Sequence, residues 1–568
     1  MKILTELKKE LTNIFEKLNL PKDLVTLSFS DRPEVSDFQC NSAFALAKIL
    51  HKSPQEIANL IAYEFKNSNF QISVCAPGFI NFNLNQNCVE KYLKELDESP
   101  NLLADFHAPK KIVLDYGGPN VAKPLHVGHL RPAIIGESLK RLAKFFGDEV
   151  ISDVHLGDWG LQMGLTIAGL EEEFDLGYFS GKSSIKPNIT IEDLNRIYPA
   201  ASAKSKEDES FKKHAQEITT NLQHKTEPYF SIWKEIRKIS VDQIKEEYAK
   251  LNVSFDLYNG ESDSQIYIPK VFEILNGKNL IKLSEGAEIV EVAKESDNAP
   301  MPPVIVRSSA GAELYATTDI ATILEREEKF SPDEIWYTTD NRQCLHFEQV
   351  FRVCKLANIG GNVKFYHCPF GTINGTDGKP FKTRDGGVMS LAKLIDLVTE
   401  KSNEKLKENN GEENKALAQD IGVSALKFGD LINFRTKDYV LDLDKFCSFD
   451  GKTGPYILYT IVRINSILLK AGEFEKDYNL QNDCAKNILI DLLKLSQEME
   501  LGYEQKSLSG ICQAAYNLAS DFSTIYSNVR ILNLTGKERN EYLTLINIIQ
   551  KTLSLVCNIL AINIPEKM

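Results

Sequence analysis

Two histidines three residues apart, His126 and His129, stand in the stretch Asp115 to Arg131. The same stretch holds Lys123, two prolines and three glycines (Gly117, Gly118 and Gly128). At that spacing both rings can face one side of a first helical turn. Imidazole N–H groups so placed can donate to charge growing on a phosphate in a transition state. Gly128 removes a side chain where a flat ligand could approach the backbone. Alone, H-x-G-H fits an exposed histidine pair or two metal ligands equally well. The stretch contains neither G-x-G-x-x-G nor G-x-x-x-x-G-K-[ST], so phosphate chemistry here would fall to the imidazoles and Lys123.

The flanking segments say how these residues are positioned. The apolar run Ile112 to Leu114 reads as a buried strand. Leu130, Ile134, Leu139, Leu142, Ala143 and Phe146 recur at helical spacing. Gly147 sits where a helix-terminating glycine belongs, and 150–156 predicts the next strand. The histidines therefore lie on the strand-to-helix turn of a β-α-β unit, where helix-end potential and free N–H groups favour phosphate.

The run P-N-V-A-K-P-L-H-V-G-H-L-R, Pro119 to Arg131, resembles the "HIGH" signature of class I aminoacyl-tRNA synthetases in its arginyl form. L-G-D-W-G, Leu156 to Gly160, one strand later, is similar to the same family. The resemblance covers essentially the whole chain. It implies an α/β fold: a Rossmann-type parallel-sheet catalytic domain with an α+β N-terminal domain and an all-α C-terminal anticodon-binding domain. It also implies ATP-dependent ligation of L-arginine to tRNA(Arg) through an arginyl-adenylate, releasing AMP and pyrophosphate.

By that resemblance Asp115, Asn120, Glu261, Tyr315, Asp319 and Gln343 hold arginine. The chemistry agrees, since a planar, permanently charged guanidinium is matched by carboxylates in fork geometry. Tyr315 and Asp319 are i and i+4 on one helix face, and His346 follows Gln343 in D-N-R-Q-C-L-H-F. Taken singly, each carboxylate reads as a solvated or capping group. The family's second nucleotide motif, K-M-S-K-S, is not literal. The matching loop is D-G-K-P-F-K-T-R-D-G-G, 377–387, whose Lys379, Lys382 and Arg384 would clamp leaving pyrophosphate. Arginyl enzymes with this departure carry a lysine just before the histidines, where Lys123 stands. His126, His129, Lys123 and Lys382 are thus the expected catalytic set. Gly128, the two histidines, Lys379, Lys382 and Arg384 are the expected ATP contacts, with Mg²⁺ accompanying ATP and no dedicated metal cage.

At 568 residues, 43% hydrophobic and 26% charged, the composition is that of a soluble globular protein of three or four domains. No apolar run approaches a membrane span. Leu4, Leu7, Leu11, Ile14, Phe15 and Leu18, with Glu6 and Glu10 between them, predict an amphipathic core helix rather than a targeting peptide. A cytoplasmic monomer is expected. The ten cysteines form no C-x-x-C, which suggests reduced thiols, buried or half-buried. A net charge of −13 argues against a nonspecific nucleic-acid coat, while a local basic face can still meet phosphates.

The expected domains are 1–107, binding the tRNA elbow; 108–395, catalytic, with an insertion of solvated helices and a flexible loop at about 171–245; 396–452, a helical connector; and 453–568, the anticodon domain. D-F-Q-C-N-S-A (37–43) and A-P-G-F-I-N-F (76–82) resemble the family's N-terminal domain, making Phe79 and Asn81 candidate tRNA contacts. Tyr456, Tyr459 and Arg463 share a helical face and are candidates for stacking on unpaired bases. Two rivals remain at this level: a class I enzyme for another amino acid, and a tRNA-binding relative without catalysis. The absence of a cysteine-rich zinc motif and the convergence of three carboxylates argue against the first. The intact His126, His129, Lys123 and Asp319 argue against the second.

Overall fold

The structure is a computed structural model and describes residues 2–99, 107–375, 377–379, 381, 389–410, 414–479 and 483–568. The chain forms two compact units, 108–448 with 559–563, and 1–107 with 449–558 and 564–568.

The first of these units is built on a four-stranded parallel sheet. Its spatial order is Lys364–His367, Glu334–Thr338, Lys111–Tyr116, Glu149–Asp153. The central strands, K-I-V-L-D-Y and E-I-W-Y-T, are buried on both faces, as unbroken apolar runs in a helix-covered parallel sheet should be. Helix Leu130–Phe145 covers one face, and Gly147 just beyond it takes φ +94°. On the other side Val113, Ile335, Ile320, Leu324, Val350 and Val353 form a core between the sheet and helices Tyr315–Phe330 and Cys344–Ala357. The strand expected over 150–156 stops at Asp153. Beyond it the chain leaves the sheet to bond with 257–260, and His155 takes a left-handed φ of 40°.

The insertion contains helices Ile191–Glu207, Glu209–Gln223 and Tyr229–Lys250. Solvated helices are present as expected, and the acidic stretch Glu207 to Ser210 is a helix-to-helix junction. Asp208 ends one helix and caps the next, accepting from the N–H groups of Ser210 and Phe211. Helices Leu391–Asn410 and Lys415–Leu431 belong to the same unit as the parallel sheet.

In the other unit helix Lys2–Lys17 buries Ile3, Leu7, Leu11, Ile14 and Phe15. Helices Ser42–Leu50 and Pro54–Glu64 divide at Pro54, where Ser53 and Glu56 form a capping box. Strands Phe70–Cys75 and Phe79–Leu84 make the expected hairpin about Pro77-Gly78. The remainder is helical: Gly454–Ala471, Asp483–Gln505, Ser509–Asn528 and Gly536–Ile559. Contrary to the sequence expectation, Gly536–Ile559 is long and apolar enough to cross a membrane. Its most apolar window is 67% buried in the protein, so the helix serves here as a core element. All ten cysteines are free, but Cys75 and Cys344 are exposed, against the expectation that every thiol is covered.

Asp97 is a structural hub of this unit. Its fully buried carboxylate receives Lys476 and Lys551, each at 2.5 Å, with Tyr478 and Asn547 each at 3.0 Å. Burial pushes its pKa up, but those lysines and the Tyr478 hydroxyl outweigh it, and the net shift is downward. Removing one partner of a buried ion pair costs roughly 3–5 kcal/mol. Because both lysines are partly exposed, Asp97→Asn should cost about 3 kcal/mol. For a unit of this size that lowers the thermal midpoint by roughly 6–12 °C at neutral pH. A carboxylate with a depressed folded-state pKa stabilises above its unfolded pKa of about 3.9. The gap between parent and variant should therefore close as pH falls below that value. Thermal denaturation at pH 7 and pH 3 checks both.

Candidate active site

Ligands of open parallel sheets bind beyond the carboxyl ends of the strands, and the predicted residues gather at that edge here. After Tyr116 the chain makes a turn in which Ala122, fully buried, takes a left-handed φ of 59° and donates its N–H to Ser240 Oγ at 3.0 Å. A non-glycine residue in that region stores backbone strain held by its surroundings. The turn places Lys123 at the site mouth, its ammonium 4.6 Å from the centre of the Tyr198 ring on the insertion.

The histidine turn is a short 3-10 element, Val127–His129, rather than the opening of the α-helix itself. The rings lie 4.0 Å apart between centres. His129 Nδ1 accepts from the His126 N–H at 3.0 Å, and His126 Nδ1 accepts from the Gly128 N–H at 3.1 Å. With both Nδ1 atoms accepting, each neutral ring carries its proton on Nε2. Burial pushes His129 down to about 3, with His126 and Lys123 adding to it. Burial, then Lys123, lowers His126. At neutral pH the turn therefore presents two uncharged N–H donors. Gly128 has a reason of its own: a Cβ there would come within 2.8 Å of the His126 ring.

The segment following the basic loop is anchored on this turn. Val127 N–H donates to Met389 O at 3.0 Å, and Leu391 N–H donates to Leu125 O at 2.9 Å. Lys379 is exposed at the loop's start, its N–H bonded to Asp377. Lys382 and Arg384 lie outside the described residues.

L-G-D-W-G holds the neighbouring wall. The Asp158 carboxylate accepts from Arg237 Nε at 2.8 Å, Ser262 N–H at 2.9 Å and Ser262 Oγ at 2.7 Å. Leu156 bonds Asn259 and Glu261 through the main chain at 2.8 and 3.0 Å. This clamp fixes Glu261 at the first position of helix Glu261–Ser264. Gly157 is packed against Asn120, whose Oδ1 would lie 2.1 Å from any Cβ there. Glu261 is pushed up to about 7 by burial, with Asp158 and Asp319 raising it further against the opposing pull of His155. Glu261 and Asp319 thus lie near enough for the charge of one to act on the other. Among the described residues no lysine or arginine pairs with either.

Asp319 lies on helix Tyr315–Phe330, one turn past Tyr315, whose ring is 76% exposed. The two share a face as expected, with Tyr315 turned largely to solvent. Gln343 is exposed in the 3-10 turn Asn341–Gln343. Asp115 is different. It sits in register with Asp153 on the adjacent strand, and Arg326 Nη2 lies between them, 2.6 Å from Asp115 and 2.8 Å from Asp153. Burial keeps the Asp115 pKa raised despite Arg326. In Asp153 the pull of Arg326 and His155 overcomes burial and lowers it. The ligand atoms of Asp115, Asp153 and His155 lie within 4.8 Å of one another, a spacing that suits a metal ion. The guanidinium of Arg326 already supplies the positive charge there. Sequence reading missed Arg326, although it follows Asp319 by seven residues, two turns along one helix face. It missed Asp153 and Asp158 because their partners come from distant segments.

In the helical C-terminal part, Tyr459, Arg463, Lys470, Tyr526, Arg530 and the terminal Met568 are among the residues lining a cavity of about 550 Å³. The Arg463 guanidinium lies 4.7 Å from the centre of each of the Tyr459 and Tyr526 rings. Tyr456 does not line it. Its hydroxyl bonds Ser523 at 2.8 Å and its ring packs on Tyr516. Phe79 is half-buried against Phe44. Asn81, expected as an RNA contact, is 1% exposed, and its amide is bound to Gln39 and Cys75. It serves the sheet.

Residues 96–443 match the family model described as the catalytic domain of class I (R) tRNA synthetases. With the parallel sheet and its histidine turn, they define a class I aminoacyl-tRNA synthetase. Residues 1–84 match the arginyl-tRNA synthetase N-terminal domain, and 457–568 the DALR anticodon-binding domain. The arginine–tRNA ligase of Alkaliphilus oremlandii is 43% identical over 98% of both chains, and that of Agathobacter rectalis 40% over 100% of both. The chain belongs to the arginyl-tRNA synthetases. The crystal structures of the Plasmodium falciparum and Thermus thermophilus arginyl-tRNA synthetases share the fold. Their TM-scores are 0.83 and 0.81 at 23% and 20% identity, covering 99% and 100% of both chains.

Proposed function

We propose that this enzyme ligates L-arginine to tRNA(Arg) at the site just described, with Glu261 and Asp319 as the pocket for the cationic amino acid. The observation that carries the assignment is Glu261, raised to about 7 first by burial and further by the repulsion of Asp158 and Asp319, with no lysine or arginine paired to it among the described residues. A bound guanidinium or ammonium relieves that repulsion, and a neutral side chain does not. Asn120, Tyr315 and Gln343 complete the arginine site in this reading, and Asp115 contributes the oxygen that Arg326 leaves open. Arginine's carboxylate attacks the α-phosphate of ATP to give arginyl-adenylate and pyrophosphate. The terminal ribose of the tRNA then attacks the adenylate, releasing AMP. His126 and His129 donate Nε2–H bonds to the phosphate as its charge develops. Lys123 and the loop bearing Lys379, Lys382 and Arg384 hold the β- and γ-phosphates. Mg²⁺ enters with ATP as part of the substrate. Tyr459 and Arg463 take an unpaired tRNA base in the C-terminal cavity, and Phe79 lies on the N-terminal tRNA-facing surface. Each chain carries both the site and the cavity, which supports a monomer, and the setting is the cytoplasm. The test is ATP–pyrophosphate exchange with each amino acid, with and without tRNA. Exchange should appear with arginine alone among them and only when tRNA is present. Robust exchange without RNA, or with another amino acid, overturns the reading.

Two further results are expected. A group needed as an anion but raised to about 7 loses its charge as pH falls, so kcat/KM for arginine should drop below pH ~7 and approach tenfold per unit. Burial pushes His129 down to about 3 and lowers His126 as well, so neither histidine produces a limb above the ordinary imidazole range. A pH profile of the parent should show this limb and that of Glu261→Gln should lack it. Lys123→Ala should slow adenylate formation while filter binding shows unchanged tRNA affinity. A parallel loss of both would assign Lys123 to the RNA.

A further inference from the structure

Asp319 is held by a partner that the arginine reading does not use. His346 Nε2 lies 2.5 Å from Asp319 Oδ2, joining helix Cys344–Ala357 to helix Tyr315–Phe330 across 27 residues of sequence. A carboxylate can only accept, so the imidazole carries its proton on Nε2 and donates. Among the described residues no other hydrogen bond reaches Asp319, which leaves Oδ1 without a protein donor. We propose that His346 is a positioning residue that sets the plane of the Asp319 carboxylate for the guanidinium of arginine.

The inference rests on the reading of Asp319 as an arginine ligand. Its physical basis is the torsion about the aspartate Cβ–Cγ bond, which is broad and roughly two-fold, so an untethered carboxylate samples many planes. A bidentate pair with a guanidinium needs one of them. A single donor on Oδ2 selects the plane and leaves the carboxylate's remaining lone pairs for substrate. The identity of the donor matters as well. A lysine or arginine at 346 would neutralise Asp319 and compete with the substrate's own cation. An imidazole offers Asp319 a single N–H on a short, rigid ring, which orients the carboxylate while leaving its other oxygen free for substrate. His346 also stands three residues after Gln343, at the start of the same helix. Metal sites use the same device when an outer hydrogen bond fixes the orientation of a ligating group.

The test compares His346→Ala, His346→Gln, Asp319→Asn and the His346→Ala/Asp319→Asn double variant in steady-state aminoacylation with tRNA. His346→Ala should raise KM for arginine by roughly tenfold, the scale of one hydrogen bond to a charged group. KM for ATP and the melting temperature should stay at parental values. His346→Gln, whose amide N–H can reach the same oxygen, should recover most of the loss. In the Asp319→Asn background His346→Ala should add little, because without the carboxylate's charge no bidentate pair remains whose plane the bond could set. Independent, multiplying losses in the double variant overturn the proposal, as does a shift in the KM for ATP. Should His346→Ala fail to fold, a folded His346→Gln with alanine-scale loss overturns it equally. The two failures separate cleanly. If Asp319→Asn itself leaves arginine kinetics intact, the arginine pocket is misassigned. If Asp319→Asn is crippling and His346→Ala is not, only the positioning role falls.

Discussion

His129→Ala should lower kcat for arginine activation by roughly two to three orders of magnitude while leaving KM for arginine within a few-fold of the parent. The expectation follows from how the ring is held. Its Nδ1 is committed to the His126 N–H, its proton is confined to Nε2, and burial keeps it uncharged. A neutral donor gains little from ground-state ATP, whose phosphate charge the basic groups already meet. It gains most when charge builds on the α-phosphate, and removing one such oriented donor typically costs about 2.7–4 kcal/mol. His126→Ala should act in the same step, and somewhat more broadly. Its ring Nδ1 accepts from the Gly128 N–H, a bond within the turn that alanine cannot make. Pre-steady-state measurement of adenylate formation separates the cases. A change confined to KM would show that the histidines only bind the ground state.

The histidine turn and its flanking strand and helix could be read in the sequence because they are local. An apolar run, a helical rhythm and a terminating glycine lie within 40 residues of one another, and the strand and helix fall where those signals place them. The turn's inner geometry was not legible. Nothing in H-x-G-H says that the two rings accept from main-chain N–H groups and so fix their own tautomer. Misreadings arose where long-range partners overrode local pattern. Val154 and Leu156 look like strand continuation, yet they pair with Leu257 and Asn259, a hundred residues away. Asn81 looks like a polar hairpin residue available to RNA, yet Gln39 and Cys75 take up its amide inside the sheet. The composition of the acidic stretch about Asp208 indicates only a solvated segment; where its two helices meet is set by one aspartate at a cap position. Among the arginine-site residues, Glu261 came from resemblance alone. The reason for its placement, the Asp158 clamp on Ser262 and Arg237, needs three segments at once.

Asp319→Asn should reduce kcat/KM for arginine by roughly a hundredfold or more, with ATP binding nearly untouched. The substitution keeps the side chain's size and leaves an oxygen to accept from His346 Nε2, so helices Tyr315–Phe330 and Cys344–Ala357 remain joined. What it removes is the charge. Once arginine closes the pocket, its guanidinium faces Glu261 alone, and loss of one carboxylate from a desolvated ion pair costs on the order of 3–5 kcal/mol. The same change relieves Glu261, which Asp319 pushes upward, so the acid limb of the pH profile should move to lower pH in the variant. That displacement is a second readout, and a purely structural role for Asp319 would not produce it. Lysine should remain a poor substrate in parent and variant alike, because a point charge cannot fill a site shaped for a planar fork of donors. Should the variant keep arginine kinetics within a few-fold of the parent and an unmoved acid limb, Asp319 would be a helix-linking residue. The proposed arginine pocket would then be misassigned.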